Sequence, residues 1–137
     1  MLNSLGYSTE KHSIAQSFFV YETNGIFCTK IDLYFYSTDT ASSGSILMPV
    51  MVELRPMVNG YPSAKKVVPG SKVTVNAGNI NVSTSGPTVA TSFEFEEPVF
   101  LNGKQDYCFV VYTNSSKYQL YVAEGGEFVF GSTERRI

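Results

Sequence analysis

The sequence predicts an all-β domain, a β-sandwich of jelly-roll-like plan with about eight or nine short, mostly antiparallel strands. Three observations carry this expectation. Apolar and polar residues alternate with a period of two in several stretches. Turn-forming Gly, Pro, Asn and Ser recur between them at short intervals. The helical period of 3.6 appears nowhere over a useful length, while Phe (10) and Tyr (9) favour strands.

In chain order, residues 1–13 are polar and aperiodic and read as a flexible arm or linker, leaving 14–137 as one domain. The first strand is expected at Ile14–Val20. The second spans Ile26–Tyr36, where Ile31, Leu33 and Phe35 alternate with Asp32, Tyr34 and Tyr36. Residues 37–48, rich in small Ser, Thr, Ala and Gly, predict an exposed, mobile loop. In Val50–Arg55, Val50, Val52 and Leu54 should face the core, and Met51, Glu53 and Arg55 should face away. Pro56 should end this strand or place it near an edge. Asn59-Gly60-Tyr61-Pro62-Ser63 is the strongest turn signal, because Asn-Gly tolerates positive φ.

Short strands are then expected at Lys66–Val68, Lys72–Val75 and Ile80–Val82, separated by Pro69-Gly70 and Ala77-Gly78. Val89–Glu96 alternates Phe93 and Phe95 against Glu94 and Glu96, and Glu96-Glu97-Pro98 looks like a charged strand end. Asn102-Gly103 marks a turn. Tyr107–Tyr112 is nearly all apolar, the mark of a central strand covered on both faces. Tyr118–Ala123 and Phe128–Phe130 complete the set, with Gly125-Gly126 as a hairpin turn between them.

The formal net charge is −2, and the basic residues are scattered. That balance argues against a nucleic-acid partner and against an anionic membrane surface. No apolar run reaches the roughly 18 residues of a membrane span, and the N-terminus lacks the pattern of a signal peptide. Cys28 and Cys108 both fall in apolar strand patterns, which favours buried free thiols over a single sheet-to-sheet disulfide.

No catalytic constellation is visible. The one histidine, His12, lies in the polar arm, a poor place to hold a general base. Three Cys and His residues, at 12, 28 and 108, do not make a zinc site. Asp32, Asp39, Asp106 and Glu124 could contribute to calcium binding, but without EF-hand spacing. Glu53, Glu94, Glu96, Glu97, Glu124 and Glu127 are the carboxylates from which a glycosidase pair would be drawn. Glu94 and Glu96 are more simply explained as a solubilised outer face. Neither a catalytic residue, a cofactor nor a metal is therefore assigned.

The exposed-side tyrosines are the candidate contact surface: Tyr34 and Tyr36 opposite the core-facing set, Tyr61 on the turn, and Tyr118 and Tyr121 around Leu120. Such aromatic platforms form protein interfaces or bind sugars, unless a second sheet or a neighbouring domain covers some of them. The absence of Trp favours protein contact.

The segments Ile14–Val20, Gly25–Phe35, Pro49–Ser63, Thr91–Leu101 and Tyr107–Tyr112, in that order, resemble a β-sandwich domain repeated among large virion proteins of contractile-tailed bacteriophages, in tail, baseplate and fibre components. The most specific parts are Arg55-Pro-x-x-Asn-Gly-Tyr-Pro-Ser63 and the ending Val122-Ala-Glu-Gly-Gly-Glu127 with Gly131-Ser-Thr-Glu-Arg-Arg136. The plan is also similar to carbohydrate-binding-like jelly rolls. The resemblance implies a non-enzymatic structural domain within a longer, oligomeric virion protein, assembled in the host cytoplasm. Its partners would be other tail or baseplate subunits, with host-surface glycan as the alternative ligand.

Overall fold

The computed structural model describes residues 13–40 and 46–121, and the backbone alone of 12 and 127–129. Ten strands are present among the described residues: β1 (His12–Val20), β2 (Ile26–Leu33), β3 (Phe35–Ser37), β4 (Val50–Val58), β5 (Tyr61–Pro62), β6 (Val73–Val75), β7 (Thr91–Leu101), β8 (Gln105–Thr113), β9 (Gln119–Tyr121) and β10 (Glu127–Val129). Every strand ladder is antiparallel, and the sheets curl into a half-barrel of sandwich type, as the alternation predicts. The sole helical element among the described residues is a 3-10 turn at Ala77–Asn79.

The larger layer runs β1-β8-β4-β5, with β6 also on β4. The facing layer combines the β2-β7 ladder with β10-β9-β3. Tyr34 is the only break between β2 and β3, and its carbonyl accepts from Tyr121 N at 2.8 Å, so the layer continues across it. Between the layers lie Val50, Val52 and Val111 on one side and Phe35, Phe93 and Leu120 on the other, each 0–2% exposed. A second cluster joins Val20, Leu54, Phe95, Val99, Leu101 and Tyr107. The core-facing residues expected in β2 to β4 and in β7 are therefore the ones found.

Strand β8 is central, as its continuous apolar run predicts. It pairs with β1 over nine consecutive residues and with β4 over seven. The Asn59-Gly60 turn forms with φ of 53° and 83° and returns β4 into β5, the left-handed pair that a two-residue hairpin requires. Asn102-Gly103 carries β7 of one layer into β8 of the other. A Cβ on Gly103 would lie 2.2 Å from Glu22 O, so only glycine lets the two corners approach.

Several expectations are corrected. The first strand starts at His12, within the segment expected to be an arm. Pro56 does not end β4: it pairs with Tyr107, and its carbonyl accepts from Ser63 N at 2.9 Å. Lys66–Val68 is not a strand. The Pro69-Gly70 turn breaks the ladder there, and the Ser71 hydroxyl takes over, accepting from Leu54 N at 3.0 Å and donating to Val68 O at 2.6 Å. Ile80–Val82 reduces to one bridge between Val82 and Phe35 after the 3-10 turn.

Glu96-Glu97-Pro98 is not a strand end. It bulges from the middle of β7, where Thr29 alone stands opposite Phe95–Pro98. Of the expected loop 37–48, Ser37 belongs to β3, residues 41–45 lie outside the described residues, and the described remainder is anchored rather than wholly exposed. Asp39 is buried and accepts from Met48 N at 2.7 Å, and the Tyr118 hydroxyl donates to Met48 O. The expected Gly125-Gly126 turn, the Val122–Arg136 ending and the side chains of Glu124 and Glu127 lie outside the described residues.

Phe35→Ala and Phe95→Ala should each lower unfolding stability by about 3–5 kcal/mol, the usual cost of emptying a core aromatic position. Urea denaturation measures this. Unchanged midpoints for both would overturn the assignment of the two faces.

Candidate functional site

On β4, Met51, Glu53 and Arg55 point away from the core, as the alternation predicts. Antiparallel register then sets their neighbours. Glu53 faces Val110 of β8, which faces Ala15 of β1; Met51 faces Tyr112, which faces Ser13. Ser13, Ala15 and Val110 are short, and their row leaves a hollow in the outer face of the large layer. Its volume is about 420 Å³, and its wall is raised by Pro62 and Ser63 of the β4–β5 hairpin. That volume lies within the range of small-ligand sites.

A charged network occupies one side of the groove. Arg55 Nε donates to Glu53 Oε2 at 2.6 Å, and Arg55 Nη1 donates to the Ser63 carbonyl at 2.6 Å. The Tyr112 hydroxyl donates to Glu53 Oε1 at 2.9 Å. The Glu53 side chain is only 7% exposed, although it stands on an outward face. Burial and the neighbouring Glu53 carboxylate push the Tyr112 hydroxyl above the usual tyrosine range, with Lys72 opposing the shift. The network thus sets a fixed carboxylate and a fixed guanidinium side by side. With both Glu53 oxygens engaged and the side chain 7% exposed, a ligand hydroxyl would meet chiefly the Arg55 guanidinium and the Tyr112 hydroxyl, which Glu53 holds in place.

The groove holds a single carboxylate among its described lining residues, so it lacks the paired carboxylates of a glycosidase. Glu94, Glu96 and Glu97 stand exposed on β7, in the other layer. Asp32 is taken up by Ser92 and Lys30, Asp39 by Met48 N, and Asp106 is exposed. No group of three or more metal-ligating side chains occurs among the described residues. Cys28 and Cys108 are free thiols on different layers, and burial pushes both above the usual range. No helix among the described residues is long and apolar enough to cross a membrane.

The five candidate tyrosines do not form one surface. Tyr36 and Tyr121 meet edge to face at 6.0 Å on the outer side of the smaller layer. Tyr121 is also held by its hydroxyl, which donates to Ser83 O at 3.0 Å. Tyr34 is half-buried at the β2–β3 break. Tyr61 is 74% exposed, but on the hairpin of the other layer. Tyr118 is a correction: it is 0% exposed, packed edge to face on Phe35, and spends its hydroxyl on Met48. It stands two residues before the core residue Leu120 and so shares its inward face, whereas Tyr121 has the opposite parity.

A second aromatic surface was missed by reading tyrosines alone. Tyr21 and Phe27 flank the β1–β2 turn and are 72% and 68% exposed. Phe100 leans on Phe27 with centroids 5.2 Å apart, over Gly25, and Phe19 meets Tyr21 at 4.9 Å. Phe27, Thr29, Glu97 and Pro98 border a shallow hollow beside it, with the β7 bulge as one wall. The signal was present: Phe27 lies out of phase between Ile26 and Cys28, as Phe100 does between Val99 and Leu101.

Comparison with family models, curated proteins and solved structures returned no match. The architecture defines an all-β sandwich, with a polar groove on one layer and an aromatic corner at its end.

The raised Tyr112 pKa makes a test of the groove network. A hydroxyl with a raised folded pKa stabilises the fold fully below the unfolded value, near pH 10, and loses that contribution as pH rises through the folded value. The gap in urea midpoint between the wild type and Tyr112→Phe should therefore be constant from pH 7 to about 9 and close above about pH 10. A gap that widens with pH would contradict the Tyr112–Glu53 hydrogen bond.

Proposed function

We propose that this domain is a non-catalytic assembly module of a phage tail or baseplate, acting through protein–protein contacts in the virion. The observation that carries the contact reading is the exposed Phe27–Phe100 ring pair, with Tyr21 exposed at the other end of the β1–β2 turn. Large exposed rings in contact favour burial against a partner, and aromatic side chains dominate such contacts. The virion context rests on the resemblance of the sequence. The edge-to-face outer pair Tyr36–Tyr121 and the tip residue Tyr61 provide further, smaller contacts.

A second reading is favoured by the groove: a carbohydrate-binding module for host-surface glycan. Its support is the Glu53–Arg55–Tyr112 network held in a hollow of about 420 Å³, a donor and acceptor set suited to ligand hydroxyls. In this reading the candidate tyrosines are less central than Glu53 and Arg55.

Immunogold electron microscopy with antibody against the domain separates the two readings, applied to tailed-phage particles and to bacteria that produce the chain. The assembly reading expects gold at the tail end, and loss of incorporation on Phe27→Ser/Phe100→Ser with the circular dichroism spectrum unchanged. Gold on cell surfaces with bare particles, together with glycan-array binding that Arg55→Ala removes, would replace it with the glycan reading.

A further inference from the structure

Strand β1 is an edge strand of unusual character. It has β8 on one side and no partner on the other among the described residues. Its register with β8 runs from His12 to Val20 without a shift. From Ser13 to Val20 it contains no charged residue, no Pro and no Gly. These are the devices by which proteins keep long edges from pairing with other chains. The other described edges are short or guarded. Strands β5, β6 and β10 are only two or three residues long. The β2–β7 ladder is interrupted by Glu96-Glu97-Pro98 and carries Lys30, Asp32 and Glu94.

The core is also unfinished beneath this edge. Ile14, Gln16 and Phe18 face inward but are half-buried, whereas Val111 and Val52 on the next two strands are 0% exposed. Ile14 packs on one core cluster, and Phe18 packs on the other while stacking with Tyr107. An added strand with apolar residues at alternate positions would cover both.

Strand β1 itself meets that description. Antiparallel pairing about a twofold axis through Gln16 places Ile14 of each copy opposite Phe18 of the other, on the core side of both sheets. Ala15 falls opposite Ser17 on the outer side, and Ser13 opposite Phe19. With no ionisable side chain from Ser13 to Val20, no like charges oppose one another in this stretch. We infer that β1 is a self-pairing edge, through which two copies of this chain join their large layers into one continuous sheet. Such an isologous contact closes at the dimer and leaves no further β1 edge open. It is separate from the aromatic corner and stands whether or not that corner docks on a neighbour.

Sedimentation velocity on the full chain, across micromolar to millimolar concentrations, should show a monomer–dimer equilibrium. Ala15→Lys/Ser17→Lys changes two exposed side chains and sets like charges opposite each other twice. It should weaken the dimer on the order of tenfold or more, with thermal stability of the monomer unchanged. As a register check, Gln16→Cys in a Cys28→Ser background should form an intermolecular disulfide under mild oxidation, and Ser13→Cys should not. A wild-type chain that stays monomeric throughout would overturn the inference. So would a dimer that survives the lysine pair and does not cross-link at position 16. Neither outcome bears on the corner contact, which the serine variants test separately.

Discussion

The structure depends on one strand being paired along both edges. β8 bonds to β1 on one side and to β4 on the other, and neither ladder contains a register shift. An inward-facing slip of one residue would turn Tyr107, Phe109 and Val111 out of the core, so both ladders are pinned by the same burial. Everything attached to β4 inherits this register. The β4–β5 hairpin, the Ser71 hydroxyl that extends the edge, and β6 are all placed relative to Val50–Leu54. The floor of the groove is the reverse side of that arrangement. Ser13, Ala15, Val110 and Glu53 align because Ile14, Val111 and Val52 do.

That dependence explains which parts of the fold were legible in the sequence. Period-two alternation reports one strand and its two faces, so Leu33, Phe35, Val50, Val52, Leu54, Phe93 and Phe95 were readable as core. The Asn59-Gly60 turn was readable because its φ requirement is local. Segments whose ladder is completed by a side chain were not. Lys66–Val68 has the composition of a strand, yet only Val68 N bonds to β4, at Leu54 O, and the Ser71 hydroxyl takes the Leu54 N–H that a paired strand would have taken. Tyr118 misled for a different reason. Period-two alternation places Tyr118 on the same face as the core residue Leu120, two positions on, so the expectation that set it beside Tyr121 ignored that parity; its hydroxyl finds a partner 70 residues away at Met48. Of the candidate site, Tyr36 and Tyr121 could be placed on one side of their strands, but their meeting depends on the β3–β9 pairing. The Glu53–Tyr112 bond spans 59 residues and leaves no local trace.

Glu53 poses an energetic question. On a sheet face open to water, a glutamate normally keeps its carboxylate solvated. Here it is covered by the Arg55 guanidinium and the Tyr112 ring, and both of its oxygens are engaged. Removing an ion pair from water costs several kcal/mol per ion, and a well-packed apolar replacement is often at least as stable. Stability alone is therefore a weak reason for this arrangement. What the network does provide is rigidity. Arg55 is held at both ends, by Glu53 and by the Ser63 carbonyl, so its planar face is fixed relative to the hairpin wall. Groups that are already oriented lose less freedom when they bind a ligand, and polar recognition depends on that economy.

The edges of the two layers are handled in opposite ways. On β7, Glu96-Glu97-Pro98 leaves the ladder and places charge and a missing N–H where another chain would dock. On β1, the eight residues Ser13–Val20 run straight and uncharged, with Ile14, Gln16 and Phe18 half-covered on the inner side. Both edges belong to one small domain with the same core, so packing does not require the difference. An edge left smooth costs solubility unless something pairs with it. A contact that closes on itself removes that cost for both copies at once. The guarded edge then keeps the assembly from growing at the other layer, leaving the aromatic corner as the surface that can face a different partner.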